Sequence, residues 1–375
     1  MKKGYYIFPC GYESTTKEYS GVLKKIEMQC AELRKYFDVD YKLIFEKNPK
    51  ANIEKIIRRL PWVSANRDYD GLIEEFDDPA FVYIRRVTAD KKFVAFLRKI
   101  KKKYPSCIII EEIYSYPYEA DEYQRFIDKP SLWKDRHYRK QLKLYVDRFV
   151  TYSDDKEIFG VKTINQMNGI NVNSIPRIKR KDEKKDTLDL IFVGYMQKHH
   201  GLERIIQGLR DYYNDNKQKR IVIVHLVGEG PEIALYKELT GKYNLSSKVI
   251  FHGKKYGEEL DAVYDMCDVG ISSLGFYKIN IQVSSALKSR EYLAKGMPMI
   301  NGNPTDVFEK YDCDFYKEFP NDDSPIDIDS VVAWYYALLE KYENAEKLSI
   351  AIRQYALEHI DNSVTIKPVR DFIGD

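Results

Sequence analysis

The sequence has few cysteines, little net charge and no long apolar run. Its five cysteines are widely spaced over 375 residues and include no Cys-x2-Cys pair, which predicts reduced thiols and no zinc site. No stretch approaches the roughly 20 apolar residues that a membrane-spanning helix needs. The apolar run Tyr5–Pro9 is far shorter than the core of a signal peptide and is better explained as a first strand. We therefore expect a cytoplasmic protein, with any membrane contact being peripheral and at the inner face.

Positive and negative charges are nearly balanced. The chain has 61 Lys+Arg against 58 Asp+Glu, a formal net charge of +3. This balance predicts no nucleic-acid partner. The basic runs Lys101–Lys103 and Lys179–Lys185 suit anionic lipid headgroups, although most runs of this kind are solvated faces or linkers.

Two nucleotide-binding fingerprints are also missing. Gly-x-Gly-x-x-Gly does not follow the first strand and Gly-x4-Gly-Lys-Ser/Thr does not occur, which argues against NAD dehydrogenases and P-loop NTPases. Asp-x-Asp recurs at Asp38–Asp40, Asp68–Asp70, Asp312–Asp314 and Asp327–Asp329, as chance allows in a chain rich in acidic residues. We expect no resident cofactor and no bound metal.

The length of the chain requires two cores. A chain of 375 residues suits two domains of roughly 150–190 residues each. Charged residues dominate 177–187, which predicts a linker. We place an N-terminal domain at 1–178 and a C-terminal domain at 186–356, with 357–375 packing back on the first.

Strand and helix patterns alternate in both halves, which predicts parallel sheets. The predicted fold class is α/β, with two Rossmann-like domains facing each other across a cleft and C-terminal helices crossing back to the first. The predicted strands are residues 5–8, 41–45, 81–84, 107–110, 149–153, 188–193, 221–227, 249–252, 269–272 and 299–300.

Loops after the strands are the first places to look for a site, because open α/β sheets bind ligands at the carboxyl ends of their strands. Gly194 ends a strand, and the following loop carries Lys198 and His200 ahead of a helix. These features suit a phosphate as well as a surface turn. In the next such loop, the main chain of Gly228 and Glu229 would either contact a nucleotide base or simply make the turn.

The strongest candidate is a predicted helix, Ser284–Lys295. Ser284, Lys288 and Glu291 would share one face of it. Ser284 and Ser285 at the N-cap, free helix amides and the Lys288 ammonium would neutralise a diphosphate. The Glu291 carboxylate would accept hydrogen bonds from ribose hydroxyls. The alternative is a solvated polar face.

One candidate lies in the first half. Glu112 ends a strong strand and leads into the tyrosine-rich segment 114–118. A carboxylate there would orient an acceptor hydroxyl, and tyrosines suit stacking on sugar rings. Since the chain has 31 tyrosines, their clustering alone says little.

In order and spacing, these second-half motifs resemble the group 1 retaining glycosyltransferases of GT-B fold. The most specific element is 288–298, Lys-Ser-Arg-Glu-Tyr-Leu-Ala-Lys-Gly-Met-Pro, which is similar to a family segment where a glutamate precedes Gly-x-Pro. The turns at Val227–Pro231 and Val193–Gly194 are similar to other turns of the family.

The resemblance implies metal-independent transfer of a sugar from a UDP- or GDP-linked donor, with retention, to a glycan, lipid-linked or protein-linked acceptor. It also implies a role in surface polysaccharide or glycoconjugate biosynthesis. Its catalytic candidates are Glu112, His200 and Lys288. The donor-binding candidates are Gly194, Lys198, Arg204, Gly228, Glu229, Ser284, Ser285, Lys288 and Glu291.

Two departures from the family pattern keep other functions open. Val283 stands eight residues before Glu291, where the family often has a first glutamate. The usual Arg and Lys of the first loop are missing, which leaves Lys198, His200 and Arg204 as substitutes. A non-catalytic partner of another transferase is one alternative. A sugar-nucleotide 2-epimerase is another, but it would need paired histidine and acidic residues that the sequence does not reveal.

Overall fold

The computed structural model describes residues 1–10, 20–46, 56–123, 125–179, 186–214, 220–279, 281 and 283–375. The chain forms two compact units. The first unit is Met1–Gln166 with Thr365–Asp375, and the second is Met167–Val364. Both are Rossmann-like α/β units, so the predicted fold class is confirmed. Residues 180–185 of the predicted linker and basic run lie outside the described residues.

A largely parallel sheet forms the first unit, in the order β2-β1-β3-β4-β5-β7-β6. In the described residues only the β6–β7 pair is antiparallel. Every residue of the third strand is buried, as expected where helices cover both faces of a sheet. The strands are β1 (Lys3–Pro9), β2 (Asp38–Ile44), β3 (Phe81–Arg85), β4 (Ile108–Ile113), β5 (Arg148–Thr151), β6 (Glu157–Ile158) and β7 (Val161–Asn165).

Helices connect these strands along the chain. They are α1 (Ser20–Leu33), α2 (Tyr69–Glu74), α3 (Lys91–Lys103), α4 (Glu119–Glu122) and α5 (Lys129–Tyr138). The third begins at Asp90, whose carboxylate accepts a hydrogen bond from the amide of Phe93 at 2.9 Å. Helix α5 ends at Tyr138, and a 3-10 turn follows over Arg139–Leu144.

The second unit has the strand order β10-β9-β8-β11-β12-β13, all parallel. This order reverses direction between β8 and β11, which is where doubly wound sheets bind ligands. The strands are β8 (Thr187–Val193), β9 (Ile221–Val227), β10 (Val249–Gly253), β11 (Val269–Ile271), β12 (Met299–Asn301) and β13 (Tyr316–Glu318). The last of these was not predicted. Its helices are α6 (Glu203–Asn214), α7 (Ile233–Lys242), α8 (Gly257–Met266), α9 (Leu287–Lys295), α10 (Asp306–Lys310), α11 (Ile328–Lys341) and α12 (Ala345–His359).

The helix that carries Lys288 begins later than predicted. It starts at Leu287, with Ala286 as its N-cap, so the N-cap assignment of Ser284 and Ser285 is wrong. Ser284 instead pairs with the segment around Thr305, since its amide donates to Pro304 O at 2.9 Å and its carbonyl accepts from the Asp306 amide at 3.0 Å. Backbone that is bonded sideways in this way cannot also form the first turn of a helix.

The end of the chain returns to the first unit through α13 (Asn362–Thr365) and α14 (Lys367–Gly374). Val369 and Ile373 are buried in the same cluster as Ile164 of β7. The Lys2 ammonium donates to the carbonyls of Ile373 and Gly374, each at 2.8 Å. No described helix has the length and apolarity to cross a membrane.

Candidate functional site

Lys288 lies at the switch point of the second unit's sheet. It is in the first turn of α9, and its Nζ is 3.5 Å from the centre of the Phe192 ring, near the end of β8. The same Nζ would be 3.5 Å from a Cβ added to Gly194. The structure therefore brings a cation to the glycine turn that ends the first strand of this unit.

The Lys288 ammonium has no hydrogen-bond partner in the described part of the chain, although its nitrogen is buried. Burial lowers the pKa of Lys288 well below its ordinary value, and the negative charge of Glu291 opposes this shift. A buried cation without a partner costs free energy. An anion bound beside it would remove that cost, which makes this lysine the natural counter-charge of a phosphate.

The N-terminus of α9 offers further donors. No side chain caps this helix, because Ala286 has no polar atom to offer. The amides of its first turn therefore have no partner within the helix and carry the positive end of the helix dipole. They start at Leu287, next to Lys288, and such amides are a common phosphate-binding arrangement.

His200 stands beside this lysine as a neutral imidazole. Its ring centre is 4.9 Å from that of Phe192, and its Nδ1 accepts a hydrogen bond from the Gln197 amide at 3.0 Å. Burial, followed by the nearby Lys288 charge, lowers the pKa of His200 to about 2. The proton of the neutral ring must then be on Nε2, which is a hydrogen-bond donor without a positive charge.

The predicted glycine turns pack against each other. Gly228 has a φ of +125°, and a Cβ added to it would lie 2.0 Å from Gly194 O. Glu229 O accepts a hydrogen bond from the Met196 amide at 2.6 Å, and its carboxylate lies 2.8 Å from Lys254 Nζ. These contacts give Gly228 a structural reason to be glycine, and contact with a nucleotide base stays a prediction.

Three other predicted residues are held by internal bonds. The Arg204 guanidinium donates to Ser324 O at 2.6 Å and to Leu274 O, and it is buried. Ser285 Oγ accepts from the Asn168 amide at 3.4 Å, and Ser284 Oγ lies 3.3 Å from Thr305 Oγ1. Their bonds join neighbouring loops of the unit, and none of the three is left as a free cation or hydroxyl.

Lys198 and Glu291, the two remaining candidates for binding the sugar donor, lie in different surroundings. Lys198 is exposed at the start of a 3-10 turn, Lys198–His200. Glu291 accepts a hydrogen bond from the Tyr264 hydroxyl at 3.3 Å on the same helix as Lys288. The structure thus gathers Gly194, His200 and Lys288 around Phe192. Phe192 was not among the predicted site residues, because an apolar residue inside a strand gives no signal of a role in a site.

Glu112 in the first unit is surrounded by donors. It is fully buried at the end of β4, and the cations beside it, together with tyrosine hydroxyls, lower the pKa of its carboxyl to about 2 despite the opposing effect of burial. Its oxygens have no lone pair left for an acceptor hydroxyl, since five groups already surround them. These groups are the hydroxyls of Tyr6, Tyr83 and Tyr152 at 2.9–3.0 Å, Arg85 Nη1 at 3.0 Å and Lys25 Nζ at 3.5 Å.

A cavity of about 600 Å³ lies within the first unit, where β1 and β3 end. Arg85 and Arg86 of this region line it, and both are ion-paired, to Glu112 and Glu122 respectively. In the described part of the chain, no group of three His, Cys, Asp or Glu side chains is placed to hold a metal ion.

Comparison with known proteins points to one class of enzyme. Residues 174–355, just under half of the chain, match the family described as glycosyl transferases group 1. An uncharacterized glycosyltransferase of Methanocaldococcus jannaschii is 35% identical over 109 residues, which is 28% of this chain and 27% of that protein. The matched segment therefore spans only about a quarter of that relative.

Solved structures resemble the whole chain. A glycosyltransferase from Rickettsia africae has a TM-score of 0.63 at 13% identity, covering 100% of this chain and 98% of that one. HepE of Anabaena, solved in complex with UDP, has a TM-score of 0.61 at 10% identity and covers 100% of both chains. At such identities the likeness shows the fold, which is GT-B. Together with the family match, it supports a group 1 glycosyltransferase.

Proposed function

We propose that this chain, a group 1 glycosyltransferase of GT-B fold on the comparisons above, transfers a sugar from a nucleoside diphosphate sugar held by its second unit. The observation that carries the proposal is the buried Lys288 ammonium, placed between Gly194 and the uncapped start of α9, to which the described residues offer no hydrogen-bond partner. A diphosphate supplies the negative charge that this arrangement lacks.

In the proposed reaction the protein stabilises the leaving diphosphate. Lys288 and the first amides of α9 would take up the charge that develops on its oxygens. Neutral His200 would donate a hydrogen bond from Nε2. Glu291, one turn along from Lys288, would hold the ribose. We propose that the acceptor hydroxyl attacks the anomeric carbon on the face from which the diphosphate departs, so that the glycosidic bond forms as the sugar–phosphate bond breaks and the configuration is retained. An oxygen of the leaving diphosphate takes the acceptor proton, and no protein nucleophile is needed.

The same proposal covers what the comparisons leave open. The donor is UDP- or GDP-linked, the transferred sugar is a hexose and no metal is needed. The acceptor is a glycan or a lipid- or protein-linked sugar, and the pathway builds a surface polysaccharide or glycoconjugate. HepE was solved with UDP, which makes UDP the first nucleotide to test.

Titration calorimetry with UDP and GDP tests the donor site. We expect one of the two to bind, and Lys288→Met to weaken that binding by about 1.5–3 kcal/mol, since it removes a charged hydrogen-bond donor. Lys310→Met, at an exposed lysine of the same unit, is the matched control and should bind as the wild type does. Equal affinity of the Lys288 variant and the wild type would sink the site assignment.

A non-catalytic role is the second candidate, and Val283 is the observation that favours it. This residue stands where the family often has a glutamate, and half of it is exposed. Incubation with UDP- and GDP-sugars separates the two functions. Slow release of free sugar supports an enzyme. NMR at the anomeric proton monitors this release and reports directly whether the configuration is retained. Nucleotide binding without any sugar release supports a partner protein.

A further inference from the structure

Large apolar side chains are exposed close together on the first unit. Phe126 is 91% exposed, Trp62 76% and Trp133 58%. Large contiguous exposed apolar patches are uncommon on soluble proteins and mark binding surfaces. These residues belong to two segments, 56–63 and 125–144, which we call the basic apolar surface. Its other exposed apolar members are Ile56, Ile57, Ile127 and Leu144.

Direct contacts join the two segments. Arg59 Nε lies 3.3 Å from an Asp128 carboxylate oxygen. The buried Lys134 ammonium donates to the carbonyls of Arg58 and Val63, at 2.7 and 2.8 Å. These bonds run from α5 and the turn before it to the 56–63 segment. The 56–63 segment and the part of the second segment around 128–134 therefore lie side by side.

The basic apolar surface is strongly positive. Its two segments contain nine Lys and Arg residues and two acidic residues, and the carboxylates of Glu46 and Glu119 pair with arginines of these segments, which leaves a net +5 in a chain whose total is +3. Both acids are buried and engaged: Asp128 accepts from Arg125 at 2.9 Å, and Asp135 accepts from the Tyr118 hydroxyl at 2.7 Å. Lys129 and Lys140 are exposed among the apolar side chains.

We propose that the basic apolar surface docks the protein on a bilayer containing anionic lipid. Tryptophan and phenylalanine insert at the level of the headgroups, while lysine and arginine pair with the negative lipids around them. A protein partner fits less well, because the cores of protein interfaces are depleted in charged residues, lysine above all. The proposal concerns the first unit and does not depend on nucleotide binding by the second.

The docking would bring the cavity of the first unit to the bilayer. Arg58, Arg59, Asp128, Ser131 and Lys134 of the basic apolar surface contribute to its lining. A lipid-linked acceptor held in the bilayer would therefore meet the cavity at the docked surface. This extension rests on the proposed transferase function, whereas the docking itself does not.

Co-sedimentation of the full chain with phosphatidylcholine vesicles, with and without phosphatidylglycerol, tests the docking. We expect binding to the anionic vesicles that weakens with added salt. Lys129→Glu with Lys140→Glu should reduce it by about tenfold or more, since each lysine near such a surface adds about 1 kcal/mol. Trp62→Ser with Phe126→Ser should reduce it comparably. Tyr256→Ser with Lys310→Glu, at exposed positions of the second unit, should not change it.

Hydrogen exchange of β1–β7 in the same variants shows whether the first unit remains folded, and UDP titration keeps the two proposals apart. Docking variants that lose vesicle binding but keep the protection of β1–β7 support the proposal, whether or not UDP binds. Equal sedimentation with neutral and anionic vesicles would overturn it. A second result would also overturn it: light scattering shows that the wild type self-associates, the Trp62 and Phe126 variant does not, and the wild type does not bind vesicles. The surface would then bind a second copy of the chain.

Discussion

At the residue scale, Lys288 is distinguished by the groups that surround its buried ammonium. Most buried lysines are ion-paired, as Lys295 is with Asp261 at 2.6 Å. Lys288 instead faces the ring of Phe192 and has a lowered pKa. A group with a lowered pKa loses its proton readily, and a diphosphate bound beside it would raise that pKa again.

Nucleotide binding should therefore take up a proton through Lys288. At mildly alkaline pH, calorimetry of UDP binding in buffers of different ionisation enthalpy should show net proton uptake. Lys288→Met should abolish the uptake, and Lys310→Met should leave it unchanged. Uptake that persists in the Lys288→Met protein would assign the proton to another group.

At the scale of elements, β4 places two adjacent glutamates in opposite environments. Successive side chains of a strand point to opposite faces, so Glu111 and Glu112 are both buried but have different neighbours. Cations and tyrosine hydroxyls lower the pKa of Glu112 to about 2. Burial raises the pKa of Glu111 to about 8, and its Oε2 has no hydrogen-bond partner in the described residues.

Replacing Glu111 and Glu112 by glutamine, one at a time, should have opposite effects on the free energy of unfolding. Glu112→Gln leaves Arg85 and Lys25 without their counter-charge and should cost about 3–5 kcal/mol in the free energy of unfolding at neutral pH. The Glu112 contribution is fully present above its ordinary pKa of 4.5 and is lost as the pH falls toward 2.

Glu111→Gln is the matched control, with the opposite sign. The protonated form of Glu111 is favoured in the folded state because burial raises its pKa. The wild type therefore loses stability as the pH rises from 4.5 to 8. The glutamine variant should lack that loss and be the more stable protein above pH 7. Urea unfolding of both variants across this range checks the pair. A Glu111→Gln protein that is less stable than the wild type would contradict the assignment.

The glycine turns predict a second result at the scale of elements. Gly228→Ala puts a Cβ 2.0 Å from Gly194 O, at a φ of +125° that side chains rarely adopt. Since Gly194 lies beside Lys288, we expect the substitution to lower both the unfolding temperature and the affinity for UDP. Gly241→Ala, which meets nothing within 4 Å in helix α7, is the control: it should leave the affinity for UDP unchanged and should not lower the unfolding temperature, because alanine favours a helix more than glycine does. Unaltered UDP binding by Gly228→Ala would separate this turn from the donor site.

At the scale of the whole molecule, the end of the chain belongs to the first unit. Ile366, Val369 and Ile373 are buried there, far in sequence from the strands they cover. Removal of residues 365–375 should destabilise the first unit by roughly 1.5–3 kcal/mol for each of these side chains.

Hydrogen exchange should locate that loss. Amides of β1–β7 should exchange faster in the truncated protein, while those of β8–β13 should be unchanged and UDP should still bind. A chain carrying Lys367→Ala, at an exposed residue of α14, controls for changes at this end that leave the apolar contacts intact. Equal loss of protection in both units would contradict this prediction, because it would show that the two units unfold together.

The sequence by itself determined the α/β class, most strands of the second unit and the helix that carries Lys288. Alternating apolar runs and glycine turns are local signals, and strands such as Ile221–Val227 follow directly from them. It did not reveal β13 or the start of α9, because Ser284 is drawn to the 304–306 segment by bonds to residues about 20 positions away.

Only the tertiary structure decided what the candidate side chains do. Glu112, Arg204 and Lys288 are all charged residues in plausible loops or strand ends. Folding surrounds the first with five donors and bonds the second to loop carbonyls, while the third has no hydrogen-bond partner in the part of the chain that the structure describes. A sequence states which groups carry charge. Which charges are satisfied depends on neighbours that the chain brings together from distant positions, and the one left unsatisfied is where a ligand gains the most by binding.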